Sequence, residues 1–152
     1  MPSQIPELSP ALSERTRKAL MLANQEAHRL NHDAVGTEHL LLGLAKEAFS
    51  LSARVMDGLG YSLFWLRRRV EKIHPPAPAG LALPGILPIR DELASFLTVV
   101  IESVEARGTL PVTPEHLLAG LVGDRRGVSA RILGRRWLSL WLLRRALFSI
   151  GS

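Results

Sequence analysis

Val35-Gly36-Thr37-Glu38-His39-Leu40-Leu41-Leu42-Gly43-Leu44, set beside Val112-Thr113-Pro114-Glu115-His116-Leu117-Leu118-Ala119-Gly120-Leu121, decides the fold of this chain. The two stretches lie 115 − 38 = 77 residues apart, and the same shift holds without gaps elsewhere. Ser52-Ala53-Arg54-Val55 maps onto Ser129-Ala130-Arg131-Ile132, Ser62-Leu63 onto Ser139-Leu140, and Leu66-Arg67-Arg68 onto Leu143-Arg144-Arg145. Agreement at several separated places under one shift marks a tandem duplication. The expected organisation is an N-terminal extension over 1–11, a first unit over 12–73, a connection over 74–88 and a second unit over 89–152, with both units sharing one core.

Working outward from the repeated stretch, each unit reads as four helices. The first opens near Leu12 with Ser13 able to cap it, and Leu20, Ala23, Ala27 and Leu30 form one apolar face at helical spacing. Leu93, Leu97, Val100, Ile101 and Val104 draw the same stripe in the second unit, ending at Gly108. The repeated stretch itself is a short second helix. Thr113 suits its N-cap and Pro114 its first position, which makes Gly36 the corresponding cap in the first unit. Third helices are expected over about Leu51–Leu59 and Val128–Leu133, and fourth helices over about Ser62–Ile73 and Leu138–Ile150. The fold class is therefore all-α, two tandem four-helix repeats related by pseudo-twofold symmetry, eight helices in total. Between the units, His74-Pro75-Pro76-Ala77-Pro78-Ala79-Gly80 and the following Pro84-Gly85 forbid a continuous helix, and the connection is expected to be extended and exposed.

Composition narrows the function. The chain has 152 residues, 47% hydrophobic and 22% charged, enough for a real core and low in aromatics. It has no cysteine, which excludes disulfides, thiolate metal sites and a cysteine nucleophile. The opening Met1-Pro2-Ser3-Gln4-Ile5-Pro6-Glu7 lacks the basic and apolar pattern of a secretory signal, so a cytoplasmic location is expected. The charge of +5 sits largely in Arg67-Arg68-Arg69, Arg125-Arg126, Arg135-Arg136 and Arg144-Arg145, which admits an alternative function as a basic regulator binding nucleic acid or an anionic membrane surface. Such clusters more often solvate a helical face, and no exposed aromatics interleave them, which makes nucleic acid and membrane the weaker partners. The segment Arg136–Phe148, rich in Trp and Leu, has the composition of an interfacial helix, although the repeat alignment assigns it to the core.

These residues together resemble the N-terminal domain of Clp (Hsp100) protein unfoldases. The resemblance runs from Leu12-Ser13 through Ala19-Leu20, Ala23, Ala27 and Asn31-His32 into Val35–Leu44, repeats less completely at Val112–Leu121, and covers nearly the whole chain to about Ile150. It implies a protein-binding module that recruits client proteins or adaptor proteins to a Clp-type AAA+ unfoldase or protease, with phosphoarginine-like or N-terminal peptide signals as what it recognises. No cofactor, small-molecule substrate or catalysis is expected: the chain has no Gly-x-x-x-x-Gly-Lys-Ser/Thr phosphate loop and no Gly-x-Ser-x-Gly stretch.

Candidate site residues follow from the repeated motif. A carboxylate in the first turn of a helix complements the exposed amides, and the same place offers donors to an anion and an acceptor to a guanidinium. Phosphoarginine carries both groups. Some ClpC-type relatives recognise it at the Thr-Glu motif, and the resemblance carries that role to Thr37, Glu38, Pro114 and Glu115. Pro114 departs from the pattern, because it brings neither a hydroxyl nor a backbone donor. The helix-opening aromatic of the family is Leu12 here and Ile89 in the second unit, and a peptide groove is expected beside them, with Ser13 and Arg90. His39 and His116 are expected to hydrogen-bond across the repeat or to backbone groups. A metal site assembled from His28, His32 and His39 is rejected on spacing.

Overall fold

The computed structural model describes residues 10–47, 49–79, 84–124, 127–133 and 145. Seven helices follow in order: α1 (Glu14–Arg29), α2 (Thr37–Lys46), α3 (Leu51–Gly58), α4 (Leu63–Ile73), α5 (Asp91–Ala106), α6 (Pro114–Gly123) and α7 (Val128–Leu133). The eighth expected helix, over Leu138–Ile150, and with it the Trp-rich segment Arg136–Phe148, lie outside the described residues. Among the described residues no helix is long and apolar enough to cross a membrane.

Sequence rules account for most helix ends. Ser13, Ser50 and Ser62 each accept a hydrogen bond from the backbone N–H three residues on, from Thr16, Ala53 and Trp65. Both long helices close in the same way. Asn31 after α1 and Gly108 after α5 take positive φ, 58° and 68°, at positions 108 − 31 = 77 apart. Behind them His32 N–H donates to Ala27 O and Thr109 N–H to Val104 O, the wide bond that satisfies the last carbonyls of a helix.

The two units are joined by backbone. Leu12 pairs with Val112 and Val35 pairs with Ile89, in two isolated bridges. Shifting Leu12 by 77 gives Ile89, and shifting Val35 gives Val112, so each bridge is the other with the units exchanged. Their hydrogen bonds obey the same exchange: Ser13 N–H to Val112 O (2.9 Å) corresponds to Arg90 N–H to Val35 O (2.8 Å), and Val112 N–H to Ala11 O (2.6 Å) to Val35 N–H to Pro88 O (2.9 Å). Around this centre a single core gathers Leu12, Leu20, Leu41, Leu66 and Tyr61 from the first unit with Ile89, Leu97, Leu118 and Ile132 from the second.

The connection between the units is held at both of its described ends. Ala77 N–H donates to Leu30 O, and Leu87, which is buried, donates its N–H to the Asn24 side chain. Glu26 on α1 adds a buried ionic tie: it accepts two hydrogen bonds from Arg67 of α4 at 2.7 and 2.9 Å, with Arg29 3.3 Å and Lys46 3.6 Å away. Burial by itself would raise this carboxyl, but the three cations outweigh burial and hold it below the ordinary glutamate value.

The crossing of the first two helices differs between units. A Cβ at Gly43 would collide with the Ala19 carbonyl oxygen and come within 2.8 Å of the Ala23 nitrogen, so the backbones of α1 and α2 touch. At Gly120 the corresponding neighbours are side-chain atoms, the Phe96 ring at 3.0 Å and Val100 Cγ2 at 3.1 Å. Backbone cannot retreat as a side chain can. Gly43→Ala should therefore destabilise the domain by about 3 kcal/mol, whereas Gly120→Ala, gaining helix propensity of about 1 kcal/mol, should be close to neutral. Urea denaturation of both variants measures the contrast.

Candidate functional site

The repeated motif places equivalent residues at the starts of α2 and α6. Thr37 and Pro114 occupy the first helical positions, Glu38 and Glu115 the second, His39 and His116 the third. Each histidine turns back on its own cap: Gly36 N–H donates to His39 Nδ1 at 2.8 Å, and Thr113 N–H donates to His116 Nδ1 at 2.9 Å. Imidazole thus takes the role that Glu or Gln usually has at this position, and Thr113 Oγ1 completes the reciprocal pair by accepting from His116 N–H. Of the two readings open to these histidines, bonding to backbone describes both.

His39 also heads a chain of hydrogen bonds whose direction is fixed from both ends. Gly36 N–H can only donate, so His39 Nδ1 is bare and its proton is on Nε2. That proton points at His32 Nδ1, 2.8 Å away, which leaves His32 Nε2–H to donate to the Pro75 carbonyl at 2.9 Å. The carbonyl can only accept, which demands the same assignment. One file of neutral imidazoles thereby links the cap of α2, the turn after α1 and the start of the connection. Burial, reinforced by His32, Arg90, His74 and Arg29, pushes His39 down to about 2.

A metal is poorly served by this cluster. His32, His39 and His74 bring nitrogens within 4.8 Å of one another, but His39 has one nitrogen accepting from backbone and the other carrying the proton, so no lone pair is left to give. His74 stacks on His32 with ring centres 3.6 Å apart and planes 11° apart, so their in-plane lone pairs run parallel and do not converge. His28, the third histidine of the sequence-derived set, is elsewhere, with Nε2 2.6 Å from the Gly85 carbonyl.

The two glutamates have different surroundings. Glu38 is 2% exposed, and its Oε1 accepts a hydrogen bond from Arg90 Nη1 at 2.8 Å. Arg90 Nη2 lies 3.2 Å from His74 Nδ1, and Glu92 stands 3.8 Å from Nη1. Burial, His32 and Arg90 depress His74, with Glu38 opposing them. Glu115 is half-buried, and among the described residues no cation pairs with it. Its neighbour His116 is also lowered, by burial and by Arg107, with Glu115 opposing. Of the four residues expected at a groove, Leu12 and Ile89 are buried at the bridges, and Ser13 and Arg90 are half-exposed. The sequence placed Arg90 beside a groove and His74 in a connection, with no periodicity or motif to indicate that both close around Glu38.

Two helical units clasped by exchanged backbone bridges define a double-repeat α-helical domain. The chain belongs to the Clp repeat (R) N-terminal domain family, whose pattern it matches over residues 11–136. It is 36% identical over 132 residues to the "ATP-dependent Clp protease ATP-binding subunit ClpA homolog" of Guillardia theta, covering 87% of this chain and 16% of that protein. It is likewise 36% identical over 121 residues to "Chaperone protein ClpC1, chloroplastic" of Arabidopsis thaliana, covering 80% of this chain and 13% of that protein. The chain therefore spans about a sixth or less of the length of these curated relatives. In structure it resembles the N-terminal domain of the caseinolytic protease associated chaperone ClpD from Arabidopsis thaliana, with a TM-score of 0.74, 24% identity, and 93% of this chain and 98% of that one covered.

The buried His39 imidazole gives the domain a pH dependence of defined sign. The folded pKa of His39 lies far below its ordinary value of 6.5, so unfolded chains take up a proton that folded chains refuse. The associated stability is complete above about pH 6.5 and is lost progressively as pH falls from there towards 2. Melting temperature should rise between pH 4 and pH 7 and then level off, and His39→Gln, which keeps an acceptor for the cap, should flatten the rise. His39→Ala, which orphans the Gly36 N–H and the His32 nitrogen, should cost about 2 kcal/mol at pH 7. Thermal melts across this pH range check both variants.

Proposed function

We propose that this chain is a protein-binding module that brings client or adaptor proteins to a Clp-type AAA+ unfoldase or protease, recognising phosphoarginine-like or N-terminal peptide signals, with the helix starts of α2 and α6 as the contacts. The observation that carries the reading is the pair of helix starts built alike from Thr37-Glu38-His39 and Pro114-Glu115-His116. Each sets a carboxylate at the second helical position among amides at the positive end of a helix, which suits a group that is cationic at one end and anionic at the other. Ser13 and Arg90, at the openings of α1 and α5, flank these starts through the bridges. A cytoplasmic location belongs to the same proposal, although several relatives are named as chloroplastic.

The alternative, a basic surface for nucleic acid or anionic membrane, draws little support from the described arginines. Arg67 is bound to Glu26, Arg69 donates to the carbonyls of Ile132 and Arg131, and Arg68 lies over the Phe64 ring. Arg67 and Arg69 are committed within the fold, whereas Arg68 and Phe64 are both exposed, so one aromatic does stand beside this arginine run, contrary to the sequence expectation.

Calorimetric titration with phosphoarginine and with an arginine-phosphorylated peptide tests the proposal. Binding is expected, and Glu115→Gln should weaken it by about tenfold or more, the loss of a charge-assisted hydrogen bond. Silence towards both ligands, together with DNA or liposome binding that falls by orders of magnitude from 50 to 200 mM salt, would move the assignment to the basic-surface reading.

A further inference from the structure

We infer that Arg90 is an intramolecular guanidinium seated in the first of the two helix-start sites, so that an external guanidinium group enters only at the second, around Glu115. The inference rests on the function proposed above and specifies which half of the site receives the ligand.

The Arg90 head is held from several sides. Nη1 donates to Glu38 Oε1 at 2.8 Å, Nη2 to His74 Nδ1 at 3.2 Å, and Glu92 stands 3.8 Å from Nη1. Its backbone is fixed as well, because Arg90 N–H donates to Val35 O in one of the two bridges. His74 cannot turn freely away, since it stacks on His32, whose orientation is set by the chain of bonds from Gly36 to Pro75. With the guanidinium in place Glu38 is 2% exposed. A ligand arginine would find the carboxylate already bonded to the same chemical group it offers.

Among the described residues no guanidinium bonds Glu115, although Arg107 lies near enough to His116 to lower it, and the repeat supplies a reason. Subtracting 77 from 90 gives Ser13, a side chain too short to reach a neighbouring carboxylate and already committed: its Oγ accepts from Thr16 N–H and lies 2.9 Å from Thr16 Oγ1. Subtracting 77 from 92 gives Arg15, whose guanidinium is turned to the Phe49 carbonyl. The exchange has a local cost that points the same way. Ser13 caps α1 with its side chain, whereas α5 has no side-chain cap, because Arg90 stands at that position and sends its polar end to Glu38 instead. A residue that gives up a cap in order to fill a carboxylate site acts as a specificity determinant for that site.

The test uses the full chain and phosphoarginine as the probe, with stoichiometry read by calorimetry and the occupied site by chemical-shift changes. Wild type should bind one molecule, and Glu115→Gln should weaken that binding by about tenfold or more. Arg90→Ser, which installs the residue found at the equivalent position, should bind two, and Arg90→Ser combined with Glu115→Gln should bind one, now beside Glu38. Arg90→Gln repeats the test with a longer side chain, and thermal melts verify that each variant is folded. Two molecules bound by wild type, or one by the folded Arg90 variants, would overturn this inference while leaving the proposed function standing. No binding by wild type and by every folded variant would overturn the proposed function and this inference with it.

Discussion

The structure depends on an exchange of backbone between its halves. Residues before α1 are bonded to the turn before α6, and residues before α5 to the turn before α2, so neither unit completes its own entrance without the other. Buried extended backbone must find partners or lose the free energy of a stranded amide, and a single unit offers none at these positions. The apolar stripe of each unit then has one place to go. Leu12 and Ile89 sit at the bridges and the core closes around them, which is why two short helical units form one hydrophobic interior.

Much of this was legible in residues. The 77-residue shift located the equivalent caps at Ser13, Gly36 and Thr113 because capping is a local matter, decided by one side chain or by its absence. Gly108 also marked the end of the second long helix, whereas Asn31, whose side chain tolerates the same left-handed turn, gave no such mark for the first. What the shift could not supply was interaction between positions that break the repeat. Arg90 against Ser13 reads as an ordinary difference at a helix opening; that it reaches across to Glu38 depends on the bridge at Val35, which has no signature in spacing. His74 is hidden for a similar reason. It falls after the last turn of α4 and before two prolines, where sequence speaks only of a stop, and its stacking on His32 is a tertiary fact.

The site therefore combines a symmetric scaffold with unsymmetric chemistry. Both histidines of the motif bond to their own caps, but among the described residues only His39 continues into a second imidazole and a carbonyl, and only Glu38 holds an arginine. Burial is the physical cause of the difference: His39 is fully enclosed with both ring nitrogens bonded, whereas His116 and Glu115 are half-buried. A buried polar network is stable when every member is satisfied, and the network around His39 and Glu38 draws its partners from the turn after α1, the connection and the opening of α5. The connection is consequently part of the site's architecture.

The glycine crossings carry this asymmetry into packing. Where α1 and α2 meet backbone to backbone at Gly43, almost any replacement pushes two helices apart, and Ala19 and Ala23 are constrained along with it. Where α5 and α6 meet at Gly120, the gap is filled by Phe96 and Val100, whose sizes can trade against one another. The two halves of a duplication thus differ in what they tolerate: the second crossing can absorb a change of side chain that the first cannot.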